Sequence, residues 1–372
     1  MTTCLADVTA VLEELYPPRW AEPWDAVGLV CGDPAAPVRR VLFAVDPVAA
    51  VVDEVVAGGY DLLVTHHPLW LRGTTSVAAD TPKGRVVHRL LAAGCALHVA
   101  HTNADVADPG VSDALAAVVG LRDTVPLQPQ AADPLDKLVV FVPVAAQGRL
   151  LDALSAAGAG AVGDYERCAW ATSGTGTFRP LSGADPAVGR VGEVSEVAET
   201  RLEVVVPRHR RTAVLRALLA AHPYEEPAYD LLELASVPGR RGLGRIGVLP
   251  QPMTLGELGA HVARVLPVTS WGVRAAGDPS RVVRTLAVCG GAGDGLLREA
   301  SAADAYLTAD LRHHPASEAP EGLVLLDAAH WATEWPWLAD AAARLSAATT
   351  VGTAVSAICT DPWTTSVRSP QA

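Results

Sequence analysis

The apolar run Tyr60-Asp61-Leu62-Leu63-Val64 stops abruptly at Thr65-His66-His67-Pro68, and this junction constrains the fold more than any other stretch. Successive side chains of a regular strand point to opposite faces, so adjacent imidazoles meet at one place only if the chain turns there. Pro68 favours such a turn. Two rings released side by side at a strand end suit two metal ions, one ring to each. The same pair also occurs in plain surface turns, so the rest of the chain has to decide.

The neighbouring segments supply an α/β frame. Val8, Val11, Leu12 and Leu15 recur at helical spacing, and Pro17-Pro18 stop them. Val41-Leu42-Phe43-Ala44-Val45-Asp46 reads as a buried strand, followed by a helical pattern through Val56 that Gly58-Gly59 close. Beyond His67, a helix is expected over Gly84–Ala93 and a strand over Cys95–Ala100. Such alternation implies parallel strands covered by helices on both faces, with ligands gathering at the carboxyl ends of the strands. Asp46, His66, His67 and His101-Thr102-Asn103-Ala104-Asp105 then share one edge.

A chain of 372 residues exceeds what one hydrophobic core usually holds. From Leu127 the composition changes, and Gln128-Pro129-Gln130-Ala131-Ala132-Asp133-Pro134 reads as a linker. Beyond it, Leu138–Pro143 followed by Arg149–Leu154 is echoed by Leu202–Pro207 followed by Ala213–Leu218. Two such β-α-β halves fit an inserted ferredoxin-like α+β domain. Gly174–Gly189 is expected as a hairpin or mobile loop, and His222 and Glu225 as turn residues. The α/β character resumes near Gly242. The expected domains are an α/β lobe over 1–126, the insert over 127–241, and a second α/β lobe over 242–372.

In the last part, Thr285–Cys289 runs into Gly290-Gly291-Ala292-Gly293, Ala305–Thr308 ends at Ala309-Asp310, and Leu323–Leu326 ends at Asp327-Ala328-Ala329-His330. The strand ending at His66-His67 matches the one ending at Asp310, and the one ending near His101 matches the one ending at His330. Two related lobes facing each other across a crevice are implied. His330 and Glu334 share a face if a helix begins there. None of the six cysteines shows C-x-x-C spacing, so a metal site must use histidine and carboxylate. His66, His67, Asp105, His330 and Glu334 all fall just past predicted strand ends, where one crevice can collect them as ligands. His101, Asp310 and His314 are expected to orient those ligands or line the site, while His98, Trp331, Trp335 and Trp337 read as packing. Gly290, Gly291 and Gly293 lack the dinucleotide spacing, but glycines there could bring backbone N–H groups to a phosphate.

Taken together, Val64-Thr65-His66-His67-Pro68, His101-Thr102-Asn103-Ala104-Asp105, Gly290-Gly291-Ala292-Gly293, Thr308-Ala309-Asp310 and Asp327-Ala328-Ala329-His330 with Glu334 make the chain resemble the YbgI/YqfO-like dinuclear-metal family, the GTP cyclohydrolase 1 type 2 homologues. The resemblance covers almost the whole chain. It implies that His67 and Asp105 hold one divalent ion, that His66 and His330 serve mainly the other, and that Glu334 bridges them. It also implies a toroidal homohexamer. The middle unit looks like the PII/CutA-like insert of the longer members, with Ala221-His222-Pro223-Tyr224-Glu225-Glu226-Pro227 similar to the CutA pattern. Two departures are visible: Asp25 is followed by Ala26 where the family often has Asn, and Thr308-Ala309-Asp310 stands for the more usual Thr-Gly-Asp.

Function follows from the ligand types. Two carboxylate-bridged ions can generate a metal-bound hydroxide near neutral pH, so hydrolysis of a small molecule is expected, with GTP ring opening as the substrate that the resemblance implies. Zinc, manganese, iron and nickel are not distinguished by such ligands. A phosphoesterase acting on a nucleotide or phosphoester near the Gly290 turn, or a non-catalytic metal-binding and regulatory scaffold, are the alternatives. The net charge of −12 argues against nucleic acid as principal partner. Neither Lys83 nor Lys137 completes a P-loop, which excludes that class of nucleotidase. The opening residues lack a signal-peptide pattern and no later run approaches about 18 apolar residues, so no membrane segment and a cytoplasmic location are expected.

Overall fold

The computed structural model describes residues 3–367 and divides into two compact units, one made of the residues up to Gln130 with those from Arg240 onward, the other of Ala131–Gly239. Among the described residues no helix is long and apolar enough to cross a membrane.

The first unit holds two sheets. One has the strand order Gly28–Cys31, Ala96–Val99, Leu62–Thr65, Arg40–Ala44, Gly352–Val355. The other runs Val273–Ala276, Val324–Ala328, Ala305–Ala309, Val282–Ala292, Pro238–Thr254, Arg122–Ala131. Each begins with an antiparallel edge strand followed by parallel strands in the same sequence-reversed order. The strand before His66 thus occupies the place of the strand before Asp310, and the strand before His101 that of the strand before His330. The inner strands are apolar and fully buried, as parallel strands covered on both faces must be. Val8, Leu12, Tyr16, Phe43, Val64, Leu115, Leu286, Leu307, Trp337 and Leu345 belong to one continuous core spanning both sheets, and the helices Val111–Val119 and His330–Ala348 contribute to it.

The two sheets exchange their outermost strands. Arg122–Ala131, whose last residues from Gln128 fall in the segment that reads as linker, is the edge strand of the second sheet. Pro126 and Pro129 explain both the reading and the outcome, because a residue without an N–H is tolerated at a sheet edge. Gly352–Val355 in turn pairs in parallel with Arg40–Ala44, so the last strand among the described residues completes the first sheet rather than the second.

The second unit is a four-stranded antiparallel sheet, in the order Ala169–Phe178, Ser195–Pro207, Leu135–Pro143, Tyr229–Glu233, with helices Gln147–Ala156 and Arg211–Ala221. Its chain order is β-α-β-β-α-β. The two repeated segments lie side by side, Pro143 opposite Glu199 and Pro207 opposite Leu135. The glycine-rich stretch is partly strand: Gly174 and Gly176 sit in the ladder, and a Cβ on Gly176 would come within 2.1 Å of the Glu199 carboxylate. His222 organises its turn, its Nδ1 accepting from the Tyr224 amide at 3.0 Å and its Nε2 lying 3.0 Å from the Phe141 carbonyl.

Candidate metal centre

The sheet ends release their side chains toward one carboxylate. After Thr65 the chain leaves the ladder, and the Thr65 hydroxyl donates to the His67 carbonyl across the turn, 2.9 Å away. The adjacent rings therefore do not diverge. His66 Nε2 lies 3.5 Å from Glu334 Oε1, and His67 Nε2 lies 3.1 Å from Glu334 Oε2, so the pair faces opposite oxygens of the same group. His330 and Glu334 occupy the first two turns of the helix His330–Ala348, and His330 Nε2 approaches Glu334 Oε1 to 2.8 Å. Asp105 closes another side, 3.6 Å from His66 Nε2.

The far nitrogen of each ring is held. His67 Nδ1 lies 2.7 Å from Asp46, His330 Nδ1 2.7 Å from Asp310, His101 Nδ1 2.9 Å from Asp25, and His66 Nδ1 3.0 Å from the Ala100 carbonyl. A ring that donates its Nδ1–H to a fixed acceptor keeps a lone pair on Nε2, the orientation metal-ligating histidines use. Asp25 is itself anchored by the Thr102 amide at 3.1 Å, the Thr102 hydroxyl and the Ala26 amide at 2.7 Å. Hydrogen bonds from His101 and Thr102 outweigh burial and hold its carboxyl below the usual range.

Charge in the cluster is unbalanced. Burial opposes ionisation of His67, yet Glu334 and Asp46 raise its pKa to about 10. Against the same burial, Glu334 and Asp310 raise His330 to about 11, and Glu334 and Asp105 raise His66. Burial pushes Asp105 up, whereas the surrounding imidazoles overcome burial at Glu334 and hold it far below the carboxylate range. The carboxylates of Asp25, Asp46, Asp105, Asp310 and Glu334 thus attract positive charge, which ring protons or divalent cations can supply. Two atoms at the centre, His66 Nε2 and Glu334 Oε2, are buried without a hydrogen-bond partner. Such atoms are costly unless a ligand takes them up. Two groupings could hold an ion, His66 with His67 and His101, and His67 with His330 and Glu334, the ligand atoms of each within 4.8 Å of one another. The donors present therefore fit divalent metal binding.

Of the residues singled out in the sequence, His66, His67, Asp105, His330 and Glu334 come together, with Asp310 behind His330. His101, expected behind a ligand, stands level with His66 and His67, and Asp25 takes the orienting place instead. His314 is not drawn in; its side chain is 83% exposed and lies 3.9 Å from Glu318. The glycines serve packing. The Gly290 and Gly291 amides donate to the Ser112 and Thr333 hydroxyls, which leaves neither N–H for a phosphate. Gly293 makes room for Tyr306 and Thr308, whose oxygens would sit 2.2 and 2.3 Å from an added Cβ. Trp337 is fully buried, donates to the Tyr16 hydroxyl at 3.1 Å and packs its ring 5.3 Å from that of His66. A cavity of about 730 Å³ opens in front of the cluster, with Asp46, His67, His101 and His330 on one side and Trp271, Asp361 and Trp363 on another.

Comparison with known proteins places the chain among relatives along nearly its whole length. The family model Duf34/NIF3 (NGG1p interacting factor 3) matches residues 3–362. The chain is 52% identical to the GTP cyclohydrolase 1 type 2 homolog of Mycobacterium leprae, across 99% of this chain and 97% of that one. It is 40% identical to the protein of the same name from Bacillus subtilis, across 87% of each. Among solved structures, a Bacillus cereus protein related to NIF3 superposes with a TM-score of 0.84 at 35% identity, covering 98% of this chain and 99% of that one.

Proposed function

This chain belongs to the Duf34/NIF3 family, and from that premise we propose that it is a divalent-metal-dependent hydrolase whose site is the histidine–glutamate cluster. The observation that carries the reading is the shared geometry of His66, His67, His101 and His330: Nδ1 is tied back and Nε2 is turned inward in each. His66, His67, Asp105, His330 and Glu334 would hold two ions, with His101 as a further donor. When bound, such ions supply Lewis acidity and acidify water. Asp46, Asp25 and Asp310 fix which ring nitrogen carries the proton, and Glu334, reached by three imidazoles, sets the spacing of the donors. The name shared by the relatives makes ring-opening hydrolysis of GTP the first reaction to assay. The proposal includes a PII/CutA-like role for Ala131–Gly239, whose strand order is that of a ferredoxin-like fold, and a homohexameric assembly in the cytoplasm.

The test is a panel of nucleotides and phosphoesters offered to the metal-reconstituted protein and to His66→Ala. Metal-dependent turnover that His66→Ala loses, while its circular dichroism stays native, supports the reading. Turnover indifferent to both metal and His66 contradicts it.

A further inference from the structure

Beside the histidines, the cavity lining includes residues with their own chemistry. Trp271 and Trp363 set their indoles 6.4 Å apart at 33°, and the Arg274 guanidinium covers Trp271 at 4.4 Å. Arg274 is itself fixed by Asp327, 2.6 Å away, so it buttresses the indole. The segment carrying Asp361 and Trp363 is tied to the cluster, since the Thr360 hydroxyl donates to Asp46, the group that orients His67.

Two polar atoms of this wall lack partners. Asp361 is 9% exposed; its Oδ1 accepts from the Trp363 amide at 2.9 Å, but its Oδ2 is unpaired, as is the indole N–H of Trp271. Among the described residues eight buried side-chain N or O atoms have no hydrogen-bond partner; these two are in the cavity wall, and two more, His66 Nε2 and Glu334 Oε2, are in the cluster. Buried polar groups are normally satisfied, so an unpaired acceptor and an unpaired donor beside exposed indole surface describe the complement of a ligand. A flat ring that lies on indole and carries a hydrogen-bond donor and an acceptor would answer both.

We propose that this wall is a recognition subsite for a planar heterocycle with a lactam edge, its ring against Trp363, its N–H read by Asp361 and its carbonyl by the Trp271 N–H. The inference rests on the proposed hydrolytic role of the cluster, because it names the substrate class that would reach it. Adenine-like rings interchange donor and acceptor on this edge, so in the same register they set the N1 lone pair against the Asp361 carboxylate and an amino group against the Trp271 N–H, and are disfavoured for that reason. A cavity of about 730 Å³ has room for a nucleoside-sized molecule.

Nucleosides test this without phosphate groups that would seek the metal site directly. Isothermal titration of the metal-replete full chain with inosine, guanosine, adenosine and ribose is expected to show inosine and guanosine about tenfold tighter than adenosine, and no binding of ribose. Asp361→Asn should bring inosine and adenosine together. Trp363→Ala, at a side chain already 62% exposed, should weaken all three nucleosides, with metal content unchanged in both variants. Equal affinity for inosine and adenosine in the parent protein, a preference that survives Asp361→Asn, or no nucleoside binding at all would overturn the proposal. Binding is read without turnover, so the two readings fail separately. A lactam preference with no hydrolysis contradicts only the hydrolase, and hydrolysis with no lactam preference contradicts only this subsite.

Discussion

Replacing Gly291 by alanine probes the cluster through its backbone. Gly291 has φ +69°, and a Cβ there would lie 2.4 Å from Glu334 Oε1 and 3.1 Å from His330 Nε2. The left-handed backbone alone costs an alanine about 1 kcal/mol. The contact costs more, because Glu334 is walled in by three imidazoles and has no free direction to move. Gly59 separates the two effects: its φ is +61° and an added Cβ meets nothing within 4 Å, so Gly59→Ala carries the backbone cost by itself. Urea unfolding should place Gly59→Ala about 1 kcal/mol below the parent and Gly291→Ala lower still. Metal affinity, measured by elemental analysis after dialysis against buffered zinc or manganese, should be unchanged in Gly59→Ala. In Gly291→Ala it should fall at least as far as when an orienting partner is lost, about 10- to 100-fold. Parent-like metal affinity in Gly291→Ala would refute the placement of Glu334 as a ligand.

Other outcomes follow from single contacts. Asp46→Asn keeps the shape beside His67 Nδ1 but removes the charge, and is expected to lower metal affinity about tenfold or more with little change in urea midpoint; unchanged affinity would remove Asp46 from the account. Arg245 is 2% exposed and serves Asp113 and the carbonyls of Ala107, Gly242 and Gly244, so Arg245→Met, which strands those acceptors, should destabilise by about 3 kcal/mol or more in chemical denaturation; a loss under about 1 kcal/mol contradicts this. Burial pushes the His98 ring down to about 4 from 6.5, so the unfolded chain binds the extra proton between these values. Stability from this residue is full above pH 6.5 and is lost as pH falls toward 4, by about 3 kcal/mol in all. His98→Leu should flatten that part of the stability–pH curve, and an unaltered slope would show that His98 is not the group responsible.

Much of the site was legible because strand ends in a parallel sheet have one address. His66, His67, Asp105, His330 and Glu334 needed only the strand boundaries and one helix start to be gathered. The orienting residues were harder. Asp25 lies in a short irregular segment between Trp24 and Ala26, and nothing in its neighbours signals that it reaches across 76 positions to His101. The distinction between ligand and orienting residue for His101 depends on which way one backbone turn faces, at φ −113° and ψ −108°, and this is not encoded in spacing. The proline-bearing edge strand Arg122–Ala131 and the exchanged strand Gly352–Val355 escaped for a related reason: edge strands carry weak hydrophobic patterns, and their partners are set by long-range packing. The cavity wall at Trp271, Asp361 and Trp363 comes from two loops with no periodicity, so only the folded chain brings it together.

The central claim is that His66, His67, His330 and Glu334 surround divalent ions. Crystals of the full chain soaked in manganese and measured with X-rays tuned to its absorption edge test it directly. The account predicts anomalous peaks between the Nε2 atoms of these histidines and the Glu334 carboxylate, absent from crystals of Glu334→Gln. Anomalous peaks only elsewhere on the protein, with the imidazoles hydrogen-bonded to one another or to Glu334 alone, would contradict it.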